Sequence, residues 1–194
     1  MPWNANIQYD ALLARLVAPA PRDVLEVGCG DGFLSARLAE AGDRVVAVDL
    51  DAPVLERARA RWPSAPVEWR QGDVLELDGT YDAVVSNATL HHLPDTAEAL
   101  AKLGSLVRPG GLVAVVGFAR NAWYDWPFAL VGQAVLLVLN VVRRKWEHSA
   151  PQHWPPPGTY AEVRRTAAQV LPASRFRRLL LGRYLLVWER PSAE

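Results

Sequence analysis

The run Glu26-Val27-Gly28-Cys29-Gly30-Asp31-Gly32 places three glycines at alternate positions directly after the short apolar stretch Asp23–Val27. Glycines there let the backbone turn tightly and approach a ligand, and a helix beyond them points its N-terminal amides at that ligand, so the turn reads as a nucleotide-type site. Close packing of a strand against a helix is the plainer use of the same residues. The spacing is G-x-G-x-G rather than the dinucleotide G-x-G-x-x-G. Asp49, at the end of the next apolar run, lies about twenty residues on, where a carboxylate can accept from both ribose hydroxyls. A dehydrogenase would place such an acid similarly. Glu26 is the discordant residue: beside a pyrophosphate it would repel, whereas it can receive a cationic ammonium group. Glu26, together with Gly72-Asp73 after the third strand, therefore favours a ligand that carries an ammonium and no phosphates.

His91 and His92 follow the fourth apolar run, at the sheet edge where open α/β folds bind ligands. Either is a candidate general base with an unperturbed pKa near 6.5, and His92 is the preferred one. The competing role is to shape the pocket or cap the helix that starts near Asp95. His148 and His153 make no metal-ligand spacing with the single Cys29, so no metal is expected.

The elements that must position these residues alternate along the chain. Asp23–Val27, Arg44–Val48, Val67–Arg70, Tyr81–Ser86 and Leu112–Phe118 read as strands; Phe33–Ala41, Asp51–Trp62 and Asp95–Val107 read as the helices between them. Such alternation predicts a doubly wound, mostly parallel α/β sheet with helices on both faces. Arg175–Leu181 and Tyr184–Glu189 are separated only by Gly182-Arg183, which predicts an antiparallel C-terminal hairpin. Thr159–Leu171 reads as a helix with Thr159 as its N-cap.

A chain of 194 residues with 51% hydrophobic and 22% charged residues suits one domain with a modest insertion. The stretch MPWNANIQYDALLARL has neither a basic head nor an apolar signal core, and with one cysteine the expectation is a cytoplasmic protein. Zero net charge argues against a nucleic-acid partner held by bulk electrostatics. The charge is nonetheless divided: residues 1–119 carry 10 Lys and Arg against 16 Asp and Glu, and residues 120–194 carry 11 against 5. An acidic half with a basic appendage suits an anionic substrate or a membrane surface; scattered solvated arginines would give the same count.

Five stretches in order resemble the successive motifs of the class I S-adenosylmethionine-dependent methyltransferases of small-molecule type. They are Val24–Gly32, Val48-Asp49-Leu50, Gly72-Asp73-Val74, Asp82–His92 and Arg108-Pro109-Gly110-Gly111-Leu112, spanning roughly residues 20–118. The resemblance implies a seven-stranded sheet whose sixth and seventh strands are the closing hairpin, with S-adenosylmethionine as cofactor. It further implies that Glu26, Gly28, Cys29 and Gly30 lie near the methionine moiety, Asp49 on the ribose, and Leu50 along the adenine or ribose. Gly72-Asp73 would serve the adenine, with Asp73 on its amino group and the Val74 backbone at the ring, and the backbone of Asn87 would lie at the methionine end. Tyr9 falls in an N-terminal helix, residues 1–18, that resembles the family's cofactor lid; it can equally just pack that helix.

Residues 119–158 are too long for an ordinary connection between the fifth and sixth strands and read as a helical, substrate-side insertion. Trp126–Val142 is apolar almost all round and runs into Arg143-Arg144-Lys145. A lid over the substrate pocket is the preferred reading; a homodimer contact and a membrane-surface segment are the alternatives. Trp123, Tyr124, His148, His153 and Tyr160 are the candidate substrate-binding residues, the last three around the rigid Pro155–Pro157 stretch, which would also serve as a stiff connector into the closing segment 159–194. The expected activity is in-line methyl transfer to a small molecule, which needs no metal or covalent intermediate. A lipid or protein acceptor, a non-catalytic cofactor-binding protein and a nicotinamide oxidoreductase are the other readings. A base-flipping Asn/Asp-Pro-Pro-Tyr signature would occupy the position that here reads Ser86-Asn87-Ala88-Thr89.

Overall fold

The computed structural model describes residues 6–18, 22–142 and 155–192. Five strands alternate with helices in the first part of the chain: β1 (Asp23–Val27), β2 (Arg44–Asp49), β3 (Val67–Gln71), β4 (Tyr81–Asn87) and β5 (Val107–Phe118). The helices are α1 (Asp10–Val17), α2 (Phe33–Glu40), α3 (Ala52–Arg61) and α4 (Thr96–Ser105), followed by α5 (Trp126–Val142) and α6 (Tyr160–Val170). The closing strands are β6 (Arg175–Leu179) and β7 (Arg183–Glu189). One seven-stranded sheet results, in the order β3-β2-β1-β4-β5-β7-β6. Strands β1 to β5 are parallel, and β7 is inserted antiparallel between β5 and β6.

Both sheet faces are covered, because the inner strands are apolar on both sides rather than alternating with polar residues. Leu25, Val84, Val113, Val115 and Leu186 pack with Leu100 and Leu103 of α4 and Val163 and Ala167 of α6. Their strand neighbours Val24, Ala83, Val85, Ala114 and Val187 face the other way, onto Leu13 of α1, Leu34 and Leu38 of α2 and Leu55 of α3. Asp95 caps α4 by accepting from the amides of Ala97 and Glu98. Thr159 caps α6 in a reciprocal capping box with Glu162, which joins the amides and side chains of both residues.

Two local expectations are corrected. The Arg108-Pro109-Gly110-Gly111 turn does not precede β5 but is looped out inside it: Tyr81 pairs with Val107, and pairing resumes at Ala83 with Leu112. The bulge is held from the far side of the sheet, where Gly110 N–H donates to Arg190 O and Arg190 N–H to Gly111 O, each at 2.9 Å. The β6–β7 connection has three residues, not two, since Leu179 pairs with Arg183. Leu181 and Gly182 both take left-handed backbone there, with φ of 60° and 75°.

Candidate active site

The strand order reverses between β1 and β4, and the loops leaving the carboxyl ends of β1, β2 and β3 converge beside that point. The glycine turn is pinned to β2, because the amides of Gly28 and Cys29 both donate to Val48 O, at 2.8 and 3.0 Å. Gly28, Gly30 and Gly32 have φ of 71°, 52° and 76°, a region that side chains other than glycine enter with strain. A Cβ on Gly28 would lie 2.1 Å from Thr89 Oγ1, and one on Gly32 2.4 Å from the Trp69 ring. A Cβ on Gly30 would instead point into open space, with nothing within 4 Å. Gly28 and Gly32 thus serve packing, and Gly30 keeps a surface clear.

Asp49 is held at that clear surface: Oδ2 accepts from the Gly30 amide at 2.9 Å and Oδ1 from the Asp51 amide at 3.1 Å. The amide of Gly72 donates to Asp49 O at 3.1 Å, which ties the β3 loop to the β2 loop. Asp73 caps the following turn, Val74–Glu76, through the Leu75 amide at 2.9 Å. Val74 is buried, and Leu50 projects with 68% exposure at the rim.

Glu26 is only 2% exposed and accepts a short hydrogen bond from the Ser35 hydroxyl. Burial pushes its carboxyl up to about 8, against the Ser35 bond and with help from the nearby charges of Asp10 and Asp49. Asp10, in the first turn of α1, is buried as well, at 3% exposure, and burial raises its carboxyl to about 7. Asn87 links it to β4: Nδ2 donates to Asp10 Oδ1 at 2.8 Å and to Asn6 O at 3.0 Å. The other Asn87 atom, Oδ1, is buried without a hydrogen-bond partner. Tyr9 is buried, its hydroxyl donating to Leu180 O at 2.8 Å. Cys29 is buried, and desolvation raises its thiol, so it stays neutral.

His91 and His92 lie in the turn Leu90–His92 with ring centroids 3.9 Å apart. His91 meets the Phe118 ring edge-on at 4.7 Å, and His92 is exposed. The guanidinium of Arg183 covers the same Phe118 ring at 4.2 Å, and that of Arg178 covers Tyr160 at 4.2 Å. Trp123 is 86% exposed in the turn Trp123–Asp125, which also contains the backbone of Tyr124. His148 and His153 lie outside the described residues. Among the described residues no group of His, Cys, Asp or Glu could hold a metal ion.

Three residues of this site were not singled out in the sequence. Ser35 carries its signal in spacing: in the first turn of the helix after the glycines, it faces back to the strand end at Glu26. Asp10 looks like an ordinary acid at a helix N-terminus, and Arg183 like one of many arginines in a basic half.

These glycines and acids fit the cofactor the sequence motifs implied: Gly30 leaves room, Asp49 presents a fixed carboxylate, and Glu26 and Asn87 present buried polar atoms. A sheet with this order and β7 set antiparallel beside β5, bearing a glycine turn after β1, defines a class I S-adenosylmethionine-dependent methyltransferase. Within that class the chain belongs to the family described as "Methyltransferase domain", which residues 25–115 match. It is 49% identical over 193 residues to an uncharacterized methyltransferase of Mycobacterium tuberculosis, covering 98% of both chains. It is 36% identical to the trans-aconitate 2-methyltransferase of Deinococcus radiodurans over 128 residues, 59% of this chain and 49% of that one. The magnesium protoporphyrin IX methyltransferase of Synechocystis, solved with bound S-adenosylmethionine, shares the fold at TM-score 0.65 and 18% identity, over 95% of this chain and 79% of that one. The PH0226 protein of Pyrococcus horikoshii does so at TM-score 0.68 and 18% identity, over 95% and 89%.

Proposed function

We propose that this chain transfers the methyl group of S-adenosylmethionine to a small molecule. The observation that carries the reading is the buried Glu26 carboxyl directly before a glycine turn whose middle glycine faces open space. When bound, the cofactor supplies a methyl group activated on a sulfonium. Glu26 receives its ammonium, the Gly28–Gly30 backbone turns beside it with Gly30 leaving it room, and Asp49 takes the ribose hydroxyls with Leu50 at the rim. Asp73 and the Val74 backbone serve the adenine, Asn87 the methionine end, and Tyr9 holds the lid helix α1 down. The small-molecule reading draws on relatives named trans-aconitate 2-methyltransferase and ubiquinone biosynthesis O-methyltransferase.

On the acceptor side, the His91–His92 pair holds or takes a proton where the acceptor must lose one. Trp123, near the start of the insertion, and Tyr160, just past its end, stand on the acceptor side. A lipid acceptor or a dimer contact has one observation in its favour: Leu130, Val131, Leu137 and Val138 of α5 are exposed. No helix among the described residues is long and apolar enough to cross a membrane.

Calorimetric titration with S-adenosylhomocysteine and with NAD tests the reading. Micromolar binding of the first and none of the second is expected, with Asp49→Ala weakening the first at least tenfold. Preference for NAD, or indifference to Asp49→Ala, would refute it.

A further inference from the structure

Arg183 opens β7 and is 7% exposed. Its Nη1 donates to Leu181 O, and its Nη2 to Asn6 Oδ1 at 2.6 Å. Its Nε is buried with no hydrogen-bond partner, and among the described residues no carboxylate lies within ion-pairing distance of it. Other arginines of the chain are matched with acids: Arg178 with Asp125 at 2.5 Å, and Arg108 with Asp23 and Asp82 at 3.0 and 2.7 Å. A buried cation left without a counter-charge costs several kcal/mol, so its retention calls for a reason. Burial lowers the guanidinium to about 10, which leaves it charged at neutral pH.

The position of Arg183 supplies the reason. The guanidinium lies on Phe118 at 4.2 Å, and His91 meets the same ring at 4.7 Å. Asn6 joins it to the cofactor side, since its Oδ1 accepts from Arg183 and its carbonyl from Asn87. One residue therefore separates Arg183 from the end of β4. We propose that Arg183 is the anion-recognising residue of the acceptor pocket and that the methyl acceptor carries a carboxylate. This rests on the methyl-transfer reading above and narrows it.

Nε and Nη2 share one edge of the guanidinium, the edge a carboxylate engages with both oxygens. The acceptor takes the unmatched Nε and replaces Asn6 Oδ1 on Nη2. The surroundings include the Leu181 carbonyl, the Phe118 ring and the neutral Tyr9 and Tyr160, and the nearby Arg178 is already matched by Asp125, so no second unmatched cation is supplied. A single negative charge is therefore compensated, whereas a phosphate dianion is not.

The test uses the purified chain loaded with S-adenosylhomocysteine and titrated with benzoate, benzamide, octanoate, octanamide and phenyl phosphate. At least one carboxylate is expected to bind ten times more tightly than its amide and more tightly than phenyl phosphate. Arg183→Met, and Arg183→Gln should the first fail to fold, are expected to abolish that preference. A wild-type protein indifferent to carboxylate against amide overturns the proposal, as does tighter binding of phenyl phosphate or a preference that survives both substitutions. A tenfold loss of S-adenosylhomocysteine affinity in the variants also overturns it, by assigning Arg183 to the cofactor's own carboxylate. Failure of the wild type to bind S-adenosylhomocysteine refutes methyl transfer instead.

Discussion

Cofactor binding is expected to release a proton, and the source is Glu26. Its carboxyl sits at about 8 in the free protein because it is buried. An ammonium placed against it favours the ionised form. At pH 7 a group at about 8 is about nine-tenths protonated, so binding S-adenosylhomocysteine releases about 0.9 proton if Glu26 ionises fully in the complex. The same linkage raises affinity about ninefold between pH 6 and pH 7. Asp10, at about 7, adds about half a proton at pH 7 if it ionises as well. Calorimetry in two buffers of different ionisation enthalpy measures the number directly. Glu26→Gln should remove the Glu26 share and flatten the affinity profile, and Asp10→Asn should subtract only its smaller share. Uptake of protons, or affinity that is flat from pH 6 to 7 in the wild type, would refute the placement of the ammonium at Glu26.

The same carboxyl bears on stability with a definite sign. A folded value above the unfolded one means that the folded state holds the proton more tightly, so stability present below about 4.5 is lost as pH rises through about 8. The interval corresponds to on the order of 5 kcal/mol for Glu26 alone. Saturating cofactor should therefore raise Tm more at pH 8 than at pH 6.

The glycine turn separates packing from binding. Gly28→Ala should destabilise the fold by roughly 3 kcal/mol, combining left-handed strain with the clash against Thr89, as read by chemical denaturation. Gly30→Ala should cost only about 1 kcal/mol yet weaken S-adenosylhomocysteine at least tenfold in calorimetry, because its Cβ enters the open space. Thr159→Ala removes the N-cap of α6 and should cost about 1 kcal/mol in urea denaturation with cofactor affinity unchanged.

What was legible in the sequence follows from range. Apolar runs bounded by glycine or polar residues are local, and they fix β1, β2 and β4 and the helices between them to within about a residue or two. The helix over Trp126–Val142 was legible for the same reason, since an apolar run bounded by polar residues fixes length. Where its exposed face goes is a matter of partners, which no periodicity encodes. The Pro109-Gly110-Gly111 bulge is not legible locally because its hydrogen bonds run to Arg190, just past β7 and some eighty residues later. The hairpin lost its two-residue turn because Leu181, an unusual residue for left-handed backbone, is held there by the Arg183 bond to its carbonyl and by the close approach of Gly132.

Asp10 and Arg183 are not legible in the sequence for a shared physical reason: each is a common surface residue type whose burial depends on where a distant segment lands. Asp10 is buried because α1 docks over Asn87, and Arg183 because Asn6 and Phe118 enclose it. Together they give the cleft a polarity that the glycine turn alone does not have. Two protonatable carboxyls stand at the Glu26 end and an unmatched guanidinium at the Phe118 end, bridged by Asn6 and Asn87. A cationic ligand group gains by settling at the first end and an anionic one at the second. The N-terminal segment meets both ends, since Tyr9 bonds Leu180 O, Asp10 bonds Asn87 and Asn6 bonds both Asn87 and Arg183. If the acceptor binds as proposed, a carboxylate that displaces Asn6 Oδ1 from Arg183 loosens one polar tether of this segment while the bonds of Asn87 to Asp10 and to Asn6 O stay in place. On that proposal the acceptor acts on the N-terminal segment through Asn6 and the cofactor through Asp10 and Asn87, two separate holds on one stretch of chain.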